Sequence, residues 1–343
     1  MTKKKETMDE RYEKIVSVGG GTFGVVWKAV DKQTHEVVAV KKLIEKYDRD
    51  NKHLVLREIK ALKEMGNHPN IVKLKKFAKE HNDIYMVFEY MDSSLYRFML
   101  DRTKNPFSED EIREMCFQLF QGLSHMHRNG YFHRDLKPDN LLVSEGVIKI
   151  GDLGSTRNIN DPLPYTDYVT TRWYRAPEVL LGSTGYEPSV DMWAMGVIMA
   201  ELFTFQHLFD GSSQQDMIDK ICKVLGTPTE STWSWGVRRA RKMNIQLPDW
   251  IGVEFSQLLP YASPDAVNLI SSLLSWDPFN RPTALEALQH PFFNKCNHVA
   301  RLRWHNPDDT ALAKENGRFV FEAAIEREMV KQQRRMSNWI YID

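Results

Sequence analysis

The chain has 343 residues, 42% of them apolar, and its 46 lysines and arginines balance 46 aspartates and glutamates at zero formal net charge. That length holds one large domain or two lobes with separate cores, and the balance excludes a global field that would favour nucleic acid or a membrane surface. The three cysteines, Cys116, Cys222 and Cys296, are too widely spaced for a zinc knuckle and too few and odd for a disulfide framework, so a reducing compartment is expected. The run Lys3-Lys4-Lys5 reads as a solvated end, and nothing at the N-terminus has the apolar stretch of a signal peptide. The longest apolar run, 192–200, is far shorter than the roughly 20 residues that span a bilayer. A soluble intracellular protein is expected.

In chain order, residues 1–11 read as an N-terminal extension. Strands are expected at 14–18, 25–30 and 36–43, the first two joined by a glycine-rich turn. A helix follows at 54–65, with Val55, Ile59 and Leu62 on one face. Strands at 71–77 and 84–90 complete a five-stranded antiparallel sheet. The character then changes, near 90–94. Residues 109–128 place Ile112, Met115, Cys116, Leu119, Leu123 and Met126 at three- and four-residue spacing, the mark of a buried helix. Further helices are expected at 191–205, 264–274 and 284–290. There are no internal repeats.

Residues 131–154 read YFHRDLKPDNLLVSEGVIKIGDLG. His133-Arg134-Asp135 is followed by Lys137 and Asn140, a short alternating run, and Asp152-Leu153-Gly154. An acid, a lysine and an asparagine at this spacing fit a loop that presents a base and a cation, and Asn140 and Asp152 offer the hard oxygens that Mg²⁺ prefers. A polar helix-to-strand turn does not account for all four residue types. The pattern resembles the catalytic signature of protein kinases. On that resemblance Asp135 is the base for a substrate hydroxyl, Lys137 stabilises charge on the transferred phosphoryl group, and Asn140 and Asp152 hold the Mg²⁺ of ATP.

Gly19, Gly21 and Gly24 lie in VGGGTFGVV, where the lack of a Cβ lets backbone N–H groups approach phosphate oxygens. Glycine-rich hairpins are common. Here a strand follows the loop, not the helix of a dinucleotide-binding fold, which favours a kinase-type flap. Lys41 lies on an apolar strand pattern, where a lysine often just snorkels to solvent. Paired with Glu58 on the next helix, it would steady nucleotide phosphates. Lys42 competes for that role; Lys41 is preferred because Val38 and Val40 point away from it across the pleat.

With Ala176-Pro177-Glu178, Asp191-x-Trp193 and Arg281, these segments resemble the eukaryotic protein kinases over residues 12–293. TRWYRAPE (171–178), ICKVLGTP (221–228) and the WDPFNRPTALEALQHPFF run from Trp276 resemble the CMGC group, which holds the cyclin-dependent and mitogen-activated kinases. LREIKALKEM (56–65), the stretch 120–142 and YTDYVTTRWYRAPEVLL (165–181) look most like the male-germ-cell-associated and intestinal-cell kinase branch.

The resemblance implies an α+β bilobal fold: a small lobe at 12–90, with a five-stranded antiparallel sheet and one helix, and a larger helical lobe at 95–293. It implies a serine/threonine kinase using ATP and Mg²⁺. Val18, Val26, Ala39 and Leu142 would sandwich the purine, and Phe88 would be the gatekeeper before a hinge, Glu89-Tyr90-Met91, that hydrogen-bonds adenine. Thr166-Asp167-Tyr168 would be a dual phosphorylation site, with Arg57, Arg134 and Arg157 gathered around the phosphate. Charge-assisted hydrogen bonds of about 1.5–3 kcal/mol each approach the ~5.5 kcal/mol that swings a two-state loop from off to on. Arg175 would satisfy a backbone carbonyl otherwise facing a substrate amide, which favours proline after the target residue because proline has no N–H. Phe23 stands where some cyclin-dependent kinases carry an inhibitory tyrosine, so that brake is expected to be absent.

The expected partners are proteins with Ser/Thr-Pro or related sites and an upstream activating kinase. The protein is expected to be a cytoplasmic monomer that neither binds nucleic acid nor inserts in membranes, with cilium, flagellum or nucleus suggested by the branch. Leu153 departs from the usual phenylalanine but keeps similar apolar bulk, and Ser155 and Thr156 are more polar than usual. The extension at 294–343 is shorter than the tails of many relatives. Phe321, Ile325 and Met329 recur at four-residue spacing, as in a short helix packing on the large lobe. The alternative reading is a pseudokinase scaffold, against which stand Lys41, Asp135, Asn140 and Asp152. A small-molecule kinase is disfavoured by the peptide-docking look of 171–178.

Overall fold

The computed structural model describes residues 6–21, 24–43, 52–81, 83–162 and 172–296. The backbone separates into units 1–294 and 295–343, and the helix expected around Phe321, Ile325 and Met329 lies outside the described residues. A short helix α1 (Met8–Arg11) leads into strands β1 (Tyr12–Gly21), β2 (Gly24–Asp31) and β3 (Val37–Leu43). Helix α2 (Lys52–Glu64) follows, then β4 (Leu74–Glu80) and β5 (Asp83–Glu89). The strands form one antiparallel sheet in the order β1-β2-β3-β5-β4, the five-stranded sheet that the alternation implies.

The two faces of this sheet do different jobs. Ala29, Val38, Val40, Tyr85 and Val87 bury one face against Met8 and Tyr12, so α1 and the start of β1 seal the outer side. A capping box between Thr7 and Glu10 starts α1, and the Met8 N–H donates to Glu80 at 2.6 Å. Val26 opposite Lys41, and Ala39 opposite Phe88, occupy the other face by register.

One expected strand moves. Residues 71–77 alternate like a strand, but β4 runs Leu74–Glu80. Ile71 instead makes a lone parallel bridge with Ile150, the Val72 N–H donates to the Ile150 carbonyl at 2.9 Å, and the Ile150 N–H donates to the Asn70 carbonyl at 2.8 Å. Ile71 and Val72 are buried. Their apolar alternation serves a junction between lobes, so the sheet takes up the chain three residues later.

The larger lobe begins with β6 (Ser93–Ser94), α3 (Leu95–Asp101) and α4 (Glu109–Arg128). The short strands β7 (Tyr131–Phe132), β8 (Leu141–Ser144), β9 (Val147–Ile150) and β10 (Arg157–Asn158) come next. Helices α5 (Pro177–Leu180), α6 (Ser189–Thr204), α7 (Gln214–Leu225), α8 (Glu230–Lys242), α9 (Phe255–Leu258), α10 (Pro264–Leu273) and α11 (Ala284–Leu288) complete it. Helix α4 has the expected bounds: Ser108 and Glu111 form a capping box, and Ile112, Cys116, Leu119, Leu123 and Met126 are buried. Helix α6 is buried along nearly its whole length, which explains why the longest apolar run lies there. Helices α7 and α8 have no counterpart among the expected elements. Among the described residues no helix is long and apolar enough to cross a membrane. The pair Arg281–Glu178 is bidentate at 2.7 and 2.8 Å with Arg281 fully enclosed, and it ties α5 to the segment before α11.

His68, in the link between α2 and β4, stacks on His125 of α4 with ring centroids 4.7 Å apart, and its Nδ1 accepts the Asn70 N–H at 3.1 Å. Burial, then the charges of His125, Arg128 and Lys149, hold its pKa down to about 3 from an ordinary 6.5. Between those values the unfolded chain binds a proton that the folded chain does not, so stability rises with pH across that window and falls as the solution is acidified. Lowering the pH from 7 to 5 should destabilise the wild type by about 2 kcal/mol more than a His68→Asn variant, as read by chemical denaturation.

Candidate active site

The loop after β7 is built around a buried carboxylate. Asp191, near the start of α6 and 1% exposed, accepts the backbone N–H of His133 (2.8 Å) and of Arg134 (2.8 Å) and the ring Nε2 of His127 (2.9 Å). Burial opposes its ionisation, but the bond and charge of His127, with His133 and the Arg134 amide, win and hold its pKa below the usual carboxylate value. Arg134 adopts a left-handed backbone, φ 75°, which these bonds stabilise. His133 is fully buried; its Nδ1 accepts the Asp135 N–H (3.2 Å), so its Nε2 carries the proton and donates to the Gly151 carbonyl (2.8 Å).

This geometry aims the side chains that follow. Asp135 Oδ2 accepts Lys137 Nζ at 2.9 Å and Asn140 Nδ2 at 3.1 Å, and Asn140 Nδ2 also donates to the Asp135 carbonyl at 2.8 Å. The Asn140 carbonyl in turn accepts the Gly151 N–H at 2.8 Å. At Gly151 a Cβ would meet Leu142 Cδ1 at 3.0 Å, so β8 approaches the following turn closely and a larger residue there would have to displace the Leu142 side chain by a few tenths of an ångström. Asp152 comes next, in a left-handed conformation with φ 48°.

From the opposite lobe, Lys41 Nζ lies 3.2 Å from Glu58 Oε1 and 3.6 Å from Asp152 Oδ1. Enclosure between β3 and α2, reinforced by the Asp152 charge, pushes the Glu58 carboxyl above its ordinary pKa against the pull of Lys41. For Asp152, enclosure raises the pKa, while Lys41 first, then His133 and Lys137, bring it below the usual value. Its carboxyl is ionised and half open to the cleft. Lys42 points elsewhere: it pairs with Asp83 at 2.5 Å, beside Tyr85, and that bond raises its pKa.

The donor set suits Mg²⁺. Asn140 uses its Nδ2 within the loop, which leaves its amide oxygen as acceptor, and Asp152 presents an ionised carboxylate. Among the described residues no cluster of three or more His, Cys, Asp or Glu suits a metal, so remaining ligands would come from phosphates and water. Val26, Ala39 and Phe88 lie on the Lys41 face of the sheet, and the partly exposed Leu142 lies on β8 of the other lobe. Val18 is half exposed beside a register shift in β1, and Met91 follows β5. Gly19 and Gly21 pair with Val26 and Gly24 across the hairpin. At Gly24, φ 153°, a Cβ would fall 2.2 Å from the Lys42 carbonyl, so glycine is required there.

Of the three arginines, Arg57 and Arg157 converge on the carboxylate of Asp161, at 3.8 and 3.9 Å. Arg134 donates instead to the Tyr186 hydroxyl (2.6 and 2.9 Å) and the Ser155 carbonyl (3.2 Å). Thr166 and Tyr168 lie outside the described residues, as does Phe23. Arg175 is half buried just before α5. Beside it, and not foreseen from sequence, the Tyr174 hydroxyl donates to Glu201 (2.7 Å), which also meets His207 Nδ1 (3.0 Å), with Trp173 against the His207 ring. Burial, then its contacts with Glu201, raises the Tyr174 pKa. The partnership of Asp191 with His127 is likewise not legible in the sequence, where only the Asp191-x-Trp193 pattern marks the residue.

The protein kinase domain family pattern matches residues 12–293, and the chain belongs to that family. It is 54% identical over 290 residues to cyclin-dependent kinase F-4 of Oryza sativa subsp. japonica, an alignment covering 84% of this chain and 63% of the rice protein. It is 46% identical over 284 residues to the serine/threonine-protein kinases MAK and ICK of Mus musculus, covering 82% of this chain and 45% of each mouse protein. These relatives agree with the CMGC resemblance; the chain spans about half to two thirds of their length.

If the pairing of Lys41 with Glu58 and Asp152 positions phosphates, Lys41→Arg should lower turnover by about 10–100-fold with the fold intact, because a planar fork replaces a compact charge. Lys42→Arg should leave turnover unchanged in the same radiolabel-transfer assay.

Proposed function

We propose that the chain is a serine/threonine protein kinase that transfers the γ-phosphoryl group of ATP to protein hydroxyls. The observation that carries this is the meeting in one cleft of Lys41, Glu58 and Asp152 with the loop of Asp135, Lys137 and Asn140. Asn140 and Asp152 would hold Mg²⁺, which would neutralise charge on phosphate oxygens. Asp135, its carboxylate oriented by Lys137 and Asn140, accepts the proton of an incoming serine or threonine hydroxyl. Lys137 offers its charge to the transferred group, and Lys41, aligned by Glu58, takes up the other phosphates. Val18, Val26, Ala39 and Leu142 enclose the base, Phe88 closes the back of its site, Glu89 and Met91 bond its edge, and Gly19, Gly21 and Gly24 cover the phosphates. Leu153 is 1% exposed, as suits an apolar side chain beneath α2 in place of phenylalanine.

Arg175 before α5 supports a preference for Ser/Thr-Pro sites. Regulation is read from Arg57 and Arg157: they already share a carboxylate, and a phosphate on Thr166 carries more charge and more acceptor oxygens than Asp161 offers. Phosphorylation of Thr166 and Tyr168 by an upstream kinase then switches the activity on, with Arg134 as a third donor. The protein acts as a monomer in the cytoplasm, with the cilium or nucleus as further sites suggested by its branch.

Two assays test this reading. Incubated with MgATP and a Ser-Pro-containing protein, the wild type should incorporate phosphate and Asp152→Asn should fall to background; equal incorporation would overturn the mechanism. Thr166→Ala combined with Tyr168→Phe should keep basal activity and lose activation in cells, and a double variant that still activates fully would remove the loop switch.

A further inference from the structure

The hinge strand is gripped from the larger lobe. Glu89, the last residue of β5, accepts Lys149 Nζ on both carboxylate oxygens, at 2.7 and 2.8 Å, and its Oε1 also accepts the Lys73 N–H at 2.8 Å. The Glu89 N–H returns a bond to the Lys73 carbonyl at 3.1 Å. Lys149 belongs to β9 of the larger lobe, where it pairs across the ladder with Leu142 and stands three residues before Asp152. One ion pair therefore joins the hinge, the strand under the base site and the strand that leads to Asp152.

This pair differs from the surface pairs of the molecule. Lys149 and Glu89 are 15% and 22% exposed, whereas the helix pairs Lys60–Glu64 and Arg97–Asp101 are half exposed or more on most sides and lie at 3.7 and 3.4 Å. Less solvent means less screening, and the second oxygen and the Lys73 amide fix the carboxylate in direction as well as distance.

We infer that Lys149 is a positioning residue for the nucleotide base, an inference that rests on the nucleotide-binding reading above. It draws the Glu89 side chain toward β9 and sets the hinge backbone at a fixed height above Leu142. Base recognition through backbone groups tolerates little drift, and a hinge ordered before the ligand arrives spares the ordering entropy at binding. The phosphate end has its own supports, through Lys41–Glu58 and the Asn140–Gly151 bond. Loss of Lys149 therefore weakens the grip on the base and leaves the transfer step alone.

The test compares Lys149→Met, which keeps the aliphatic stem, with Lys149→Arg, which keeps the charge. Lys149→Met should raise KM for ATP and weaken MgADP binding by calorimetry on the order of tenfold, with kcat and the KM for the protein substrate unchanged. Binding of magnesium tripolyphosphate, which has no base, should stay at the wild-type level. Lys149→Arg should restore MgADP affinity to within about twofold. Glu89→Gln should weaken MgADP binding as Lys149→Met does, and the two changes together should cost no more than either alone. An unchanged KM for ATP in Lys149→Met, equal weakening of tripolyphosphate, or strictly additive effects with Glu89→Gln would overturn the inference while wild-type activity stands. Failure of the wild type to bind MgADP would overturn the kinase reading and this inference with it.

Discussion

The loop at 133–140 depends on the carboxylate of Asp191. A charge 1% exposed survives only if its oxygens are used, and here they are, by the amides of His133 and Arg134 and by the His127 ring. In return the loop is held in a turn it would not choose, since a left-handed arginine costs on the order of 1–3 kcal/mol. That turn sets His133 inward to bond Gly151 and sets Asp135 outward with Lys137 and Asn140 beside it. A neutral acceptor at position 191 would leave the amides satisfied but lose the charge that strengthens each bond.

Two small sheets extend this anchor to the turn at Asp152. β7 pairs with β10 and β8 with β9, so the segments entering and leaving the two loops are tied at both ends. Residues 71 and 72 then carry the tie to the small lobe through Ile150. The cleft is thus braced on one side by backbone bonds and bridged between the lobes by the Lys41, Glu58 and Asp152 charges. Those charges oppose one another: Glu58 is pushed toward the neutral form by burial and by Asp152, while Asp152 is kept ionised by the lysines and His133. A divalent cation held beside Asp152 would relieve the carboxylate–carboxylate part of that tension.

Local pattern carried much of this. The period of α4 is visible in twenty consecutive residues, because it depends only on neighbours three and four apart. The preference for Lys41 over Lys42 rests on strand alternation alone; in the fold Lys41 meets Glu58 and Asp152, while Lys42 has Asp83 and Tyr85 on the far face. The pattern misled at Ile71 and Val72, where apolar alternation cannot say which strand is the partner. It was silent on α7 and α8, and on the Glu201 network behind Tyr174, whose members are joined only across the fold.

By itself the sequence determined the chemistry available: which acids, amides, lysines and glycines occur, at which spacing, and on which face of a strand or helix. Those are properties of bonded neighbours and of backbone period. The tertiary structure alone decided which distant charges meet. Asp161 lies between Arg57 and Arg157 while Arg134 turns to Tyr186, and Lys149 reaches back to Glu89. The energy of an ion pair depends on separation and solvent access in space, and residues far apart in the chain acquire both only when the lobes are packed.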